Sequence, residues 1–195
     1  MTGLLKPALA LCAATVALTG MARAQIVDEF RVGIAMHDFE INPDDRRESG
    51  VDIQPQIVFG SPGFLRWAFE PQPYLMMSIN SDQETNWAGG GILWKKPLFS
   101  EQWFWEIDGG VVYHDGRTDL PPPWMPVERQ YVLDHEITFG DEWLFQFMAG
   151  AGRELNEDWD VQVYFEHLST GQVFGDSSKN EGIETIGVKF GYKFD

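Results

Sequence analysis

The chain has 195 residues, 30 acidic against 14 basic, for a net charge of −16, and a single cysteine, Cys12. That balance argues against nucleic acid as a partner, because gripping phosphates needs a basic footprint. One cysteine provides neither a disulfide nor a thiolate metal site, and the length suits one domain.

Residues 1–24 read as an export signal. Lys6 supplies the positive start, "ALALCAATVALTG" (8–20) the apolar stretch, and Ala22-Arg23-Ala24 the small-x-small cleavage pattern. The apolar run is short of the ~20 residues a spanning helix needs. Cleavage would leave residues 25–195 as one cysteine-free domain with a net charge of −18.

From there the pattern is period two with turn-rich gaps, which predicts strands. Phe30, Val32, Ile34 and Met36 alternate with Arg31, Gly33, Ala35 and His37, and Val51, Ile53, Ile57 and Phe59 alternate with polar residues. Further strands are expected at 71–79, 87–95, 103–113, within 131–153, at 159–169 and at 184–194. The 131–153 stretch reads either as one long strand interrupted at "FGDEW" or as two. Taken as one it brings the total to eight, the even count that a closed antiparallel barrel with both termini on one side requires. "GSPG" (60–63), "KPLFSEQ" (96–102) and "LNED" (155–158) read as tight turns. The segments 39–50, 114–130 and 170–183 are longer and polar.

The expected fold is therefore all-β: an eight-stranded antiparallel transmembrane barrel with short periplasmic turns and longer extracellular loops. Eight Trp and fourteen Phe suit aromatic girdles at two membrane interfaces, although composition alone fits a soluble β-barrel or sandwich equally well. The last strand favours the membrane. In "ETIGVKFGYKFD", Ile186, Val188, Phe190, Tyr192 and Phe194 make one wholly apolar face, and Gly187, Lys189, Gly191 and Lys193 make a lumen-like one.

Extending the parity exposes a conflict. The apolar face of Trp159, Val161, Val163 and Phe165 continues into His167 and Ser169, and that of the last strand begins at Glu184. Ionisable groups facing lipid are costly and mark function. His and Ser two apart on a strand point the same way, and the next strand can bring a carboxylate to the other ring nitrogen, as in a serine-hydrolase relay. With residue 169 expected across from about 184, the three side chains converge near the outer leaflet, where the surrounding lipid could itself be the substrate. His37, His114 and His135 have no metal-ligand spacing.

"EHLST" and "NEGIETIGVKFGYKF" resemble the lipid A 3-O-deacylases (PagL-type), which pair a His-x-Ser-Asn motif on the penultimate strand with an Asn-x-Gly-x-Glu motif opening the last. The resemblance implies His167 as general base, Ser169 as nucleophile and Glu184 as the residue orienting the histidine. Asn180 and Gly182 match the second motif. The chain departs at Thr170, where the family has Asn, leaving Thr170 and the Gly171 amide as oxyanion donors. Losing one such donor typically costs ~10²–10³ in rate. The implied protein is an outer-membrane esterase of a Gram-negative cell acting on lipopolysaccharide, without cofactor or metal, and a homodimer is compatible with it. The alternatives are a non-catalytic barrel of structural or adhesive role with a degenerate triad, and a soluble periplasmic lipid-binding barrel.

Overall fold

The computed structural model describes residues 27–171 and 181–194; the segment 1–24 expected to be an export signal, and Asn180, lie outside them. Eight strands form one closed antiparallel barrel in chain order: β1 (Val27–Met36), β2 (Val51–Phe59), β3 (Gln72–Asn80), β4 (Trp87–Leu98), β5 (Ser100–His114), β6 (Trp143–Glu154), β7 (Trp159–Ser169) and β8 (Ile183–Lys193). The ring closes through β1–β8, where Ile34 faces Val188 and Phe30 faces Tyr192. Closure removes the unpaired edge that would otherwise seek another chain.

The side chains are distributed inside out relative to a water-soluble barrel. The interior buries Arg31, Gln54, Gln56, Glu106, Asp108, Gln162, Glu166 and Lys189, each at most 2% exposed. Arg31 pairs with Glu29 at 2.8 Å and with Glu106 at 2.7 Å. Tyr74 donates to Gln146 at 2.7 Å, and Gln54 donates to Glu166 at 2.9 Å. Outside, Phe30, Ile34, Ile53, Ile57, Leu75, Ile79, Phe147, Val163 and Phe190 stand exposed. An apolar band that wide would be unsustainable in water, while hydrocarbon matches it and leaves the polar groups to pair in the lumen. The lumen is thus packed with polar side chains, most of them paired, although both Asp108 carboxylate oxygens are buried without a hydrogen-bond partner among the described residues.

Two expected elements take another form. Residues 131–153 are not one strand: helix α1 (Pro126–His135) precedes β6. Pro126 sits at the first helical position, where its missing N–H costs nothing, and Glu128 follows in the first turn. Val132 then buries itself as the helix's anchor. The local alternation had masked these start signals. The β2–β3 connection is also longer than "GSPG": it runs from residue 60 to 71 and contains a 3₁₀ turn, Gly63–Ala68.

At the end opposite the chain termini, the connections interlock. Ile137 and Phe139, following α1, are fully buried in an apolar cluster with Trp87, Val112, Leu144, Leu168 and Ile183. Glu48, from the β1–β2 loop, accepts hydrogen bonds from His37 Nε2 (2.9 Å), the Thr85 amide (3.3 Å) and the Ile137 amide (3.2 Å). One carboxylate thereby ties three loops together over the barrel mouth.

Candidate active site

In β7 the alternation runs without interruption. Asp160, Gln162, Tyr164, Glu166 and Leu168 are buried inward, while Trp159, Val161, Val163, Phe165, His167 and Ser169 face out. On β8, Ile183 and Thr185 are buried and Glu184 and Ile186 face out. His167 lies directly across from Glu184 and Leu168 across from Ile183, so the register is two residues from the one expected, which had set 169 opposite 184. The step of two preserves the face, and the three side chains still meet.

His167 joins them. Its Nδ1 stands 2.8 Å from Glu184 Oε1 and its Nε2 3.0 Å from Ser169 Oγ. With Glu184 ionised, Nδ1–H donates to the carboxylate, leaving Nε2 as the acceptor for the Ser169 hydroxyl. The side chains of His167 and Glu184 are 39% and 31% exposed, open to a substrate arriving from the side. Glu166, one residue before His167, points into the lumen and accepts from Gln54 and Gln146. A one-residue step in the strand therefore separates a lumenal carboxylate from the outer relay.

The flanks of the site are apolar. On β6, Phe147 faces His167 and Phe145 faces Ser169, both exposed on the outer wall. Phe165 and Ile186 continue the wall along the barrel. Gly182 leaves room for the imidazole: a Cβ there would come 2.8 Å from His167 Cε1 and 3.1 Å from the Leu168 carbonyl oxygen. Gly171 takes a left-handed backbone with φ 58°, and a Cβ on it would sit 3.2 Å from the Phe145 ring, which places Gly171 beside the outer wall. Thr170, between Ser169 and Gly171, is buried to 1% exposure.

The start of β8 is held from behind. The Phe39 amide donates to the Glu184 carbonyl at 2.6 Å. Glu181 accepts from the Thr138 amide at 2.8 Å and pairs with Arg47 at 2.7 Å. The sequence reading missed these supports. Their partners lie on loops 134 and 43 residues away from Glu181 along the chain, and no periodicity links them. It missed Phe145 and Phe147 because the helix had been folded into their strand, although Trp143, Phe145 and Phe147 carry the strand period on their own.

No group of three or more His, Cys, Asp or Glu side chains with metal-holding geometry occurs among the described residues. Cavities of about 450 Å³ and 390 Å³ open at the two ends of the barrel, and neither is lined by His167, Ser169 or Glu184. The relay stands on a convex wall.

A sequence profile described as Lipid A 3-O-deacylase (PagL) matches residues 66–193. Among solved structures, the outer membrane enzyme PagL aligns with a TM-score of 0.58 at 12% identity, covering 85% of this chain and 99% of that one. The N-terminal β-barrel domain of Pseudomonas aeruginosa OprF aligns with a TM-score of 0.51 at 9% identity, covering 88% and 100%. At those identities the likeness concerns the fold. No curated protein sequence matches. The profile spans both strands of the relay and well over half of the chain, and the chain belongs to the lipid A 3-O-deacylase (PagL) family.

Proposed function

We propose that this protein is an outer-membrane esterase that removes the 3-O-linked acyl chain of lipid A, using Ser169, His167 and Glu184 on its lipid-facing wall. The observation that carries the reading is the single imidazole spanning a serine hydroxyl and a carboxylate, 3.0 Å and 2.8 Å away, on a face otherwise apolar. Export by the 1–24 signal and periplasmic termini set the relay at the outer-leaflet end, where the lipid is lipopolysaccharide.

The steps follow from the two nitrogens. His167 Nε2 takes the Ser169 proton as Oγ bonds to the acyl carbonyl carbon, and Glu184 stabilises the imidazolium that forms. The tetrahedral intermediate collapses as the imidazolium gives that proton to the departing sugar oxygen, leaving an acyl-serine. Water, deprotonated by His167, then attacks the acyl-serine and frees the fatty acid, and the proton returns to Ser169. Oxyanion donors must lie on the outer wall. Thr170 is buried to 1% exposure, whereas Gly171 lies beside Phe145 on that wall, so the Gly171 amide is the donor proposed in place of the family asparagine.

Mass spectra of lipid A from cells with and without the protein test the reading. One 3-hydroxyacyl chain should disappear with the wild type and remain with Ser169→Ala. Loss that persists in Ser169→Ala would sink the serine mechanism. An unchanged lipid A with folded wild-type barrel would favour the non-catalytic alternative.

A further inference from the structure

The β2–β3 connection is built to sit on lipid. Its 3₁₀ turn, Gly63–Ala68, repeats every three residues and so sorts its side chains into ridges. Leu65 and Ala68 form one ridge and are half-buried. Phe64 and Trp67 form the next and are 75% and 82% exposed. The Ala68 carbonyl accepts a hydrogen bond of 2.8 Å from the Trp94 indole. Trp94 lies between the inward Leu93 and Lys95 on β4, so its ring is on the outer wall. The turn is therefore clasped to the membrane-facing side of the barrel, outside the lumen.

Backbone geometry at the same end points the same way. Phe69 and Glu70 take left-handed φ values of 65° and 56°, and Phe99, in the β4–β5 turn, takes 62°. Such conformations cost free energy for residues with a Cβ and persist where something outweighs the strain. Phe69 and Phe99 are 77% and 97% exposed. At Phe69 the left-handed backbone closes the 3₁₀ turn, its amide donating to the Arg66 carbonyl at 3.2 Å, and in doing so it turns the ring outward, where lipid offers an apolar layer for it.

We infer that the β2–β3 connection is an interfacial foot. It docks Phe64, Trp67 and Phe69, with Phe99 beside them, into the phospholipid leaflet on the side of the barrel that carries the chain termini. Arg66, 79% exposed, stands on the remaining ridge and reaches the headgroup level. The foot clasps β4, halfway around the ring from the β7–β8 pair and at the opposite end from the relay. It anchors the far side of the barrel while the relay's wall stays free to meet substrate. The inference rests on the membrane reading of the barrel and on no part of the proposed reaction.

Cys12 is the sole cysteine, so in a Cys12→Ser background each introduced cysteine carries the only spin label. Labels at Trp67→Cys, at Val163→Cys on the lipid-facing wall and at Glu157→Cys in the β6–β7 turn would be compared in phosphatidylethanolamine/phosphatidylglycerol vesicles. The label at 67 should match that at 163, with oxygen collisions exceeding nickel-chelate collisions several-fold. Nickel-chelate access equal to that at 157 would overturn the proposal. The conservative variant W67F guards against misfolding. The emission lost in W67F should be blue-shifted and quenched by brominated acyl chains in the wild type. A water-like, unquenched difference spectrum would overturn the proposal as well.

Discussion

His37 and His167 stand near the same end of the barrel, and each has both ring nitrogens engaged. His37 is 1% exposed and lies between two acids, with Asp52 at 2.9 Å from Nδ1 and Glu48 at 2.9 Å from Nε2. Burial opposes its charge, but the hydrogen bonds and charges of Asp52 and Glu48 outweigh that cost and raise its pKa to about 9. Both nitrogens hold protons at neutral pH, and no lone pair remains to accept another. His167 has one acid and one hydroxyl, and its side chain is 39% exposed. Its Nε2 is the open acceptor a general base needs. Replacing one carboxylate partner by a hydroxyl, and moving the ring from lumen to outer wall, turns a lock into a relay.

The predictions test that contrast in order of expected effect. Ser169→Ala or His167→Ala should reduce deacylation by on the order of 10⁴-fold or more, with the barrel's thermal unfolding unchanged. A wild-type rate in either variant would end the contrast. Glu184→Gln keeps the shape but removes the charge that holds the ring and its imidazolium, and should cost roughly 10³-fold in kcat with little change in KM. A raised KM with kcat unchanged would instead indicate a binding role.

His37→Gln should leave kcat within a small factor while destabilising the barrel by about 3 kcal/mol, since it removes the positive partner of two buried carboxylates. Equilibrium unfolding in urea measures that loss. The pH dependence has a definite sign. The folded pKa of His37 is above its ordinary 6.5, so its stabilisation is complete below that value and fades as pH rises through about 9. Burial pushes the Glu48 carboxyl up, but His37, Thr85 and the Ile137 amide bring it below its ordinary 4.5. Its contribution is therefore complete above that value and is lost on acidification. Exchange of the Thr85 and Ile137 amides, both donors to Glu48, should accelerate on either side of this window. Flat exchange across it would separate the loops from the histidine.

Among the variants at the relay itself, Gly182→Ala should have the smallest effect, about tenfold in kcat, because a methyl 2.8 Å from His167 Cε1 forces the ring aside. Retention of full activity would mean the ring has more freedom than its partners imply.

The site was legible in the sequence where it depended on local period. Parity along β7 and β8 places His167, Ser169 and Glu184 on one face without knowledge of the register, and a two-residue error in pairing did no harm for that reason. Barrel closure followed from an even number of strands even though one strand's span absorbed a helix. Non-local facts were out of reach. The Arg47–Glu181 pair, the three-loop grip of Glu48 and the 3₁₀ foot on Trp94 depend on loops meeting in space, where no repeating pattern runs. The Thr170 departure showed in sequence, but its burial did not, because the residue lies just past the end of the strand.

The filled lumen has a kinetic consequence. With Arg31, Lys189, Glu106 and Glu166 packed across the interior, nothing passes through the barrel, and a reaction on its wall begins and ends in the plane of the bilayer. On the proposed reading, substrate would reach Ser169 by lateral diffusion, and both products would leave the same way. Turnover at such a site should saturate with the mole fraction of substrate in the leaflet, so diluting it with inert lipid should slow the protein while adding bulk volume should not.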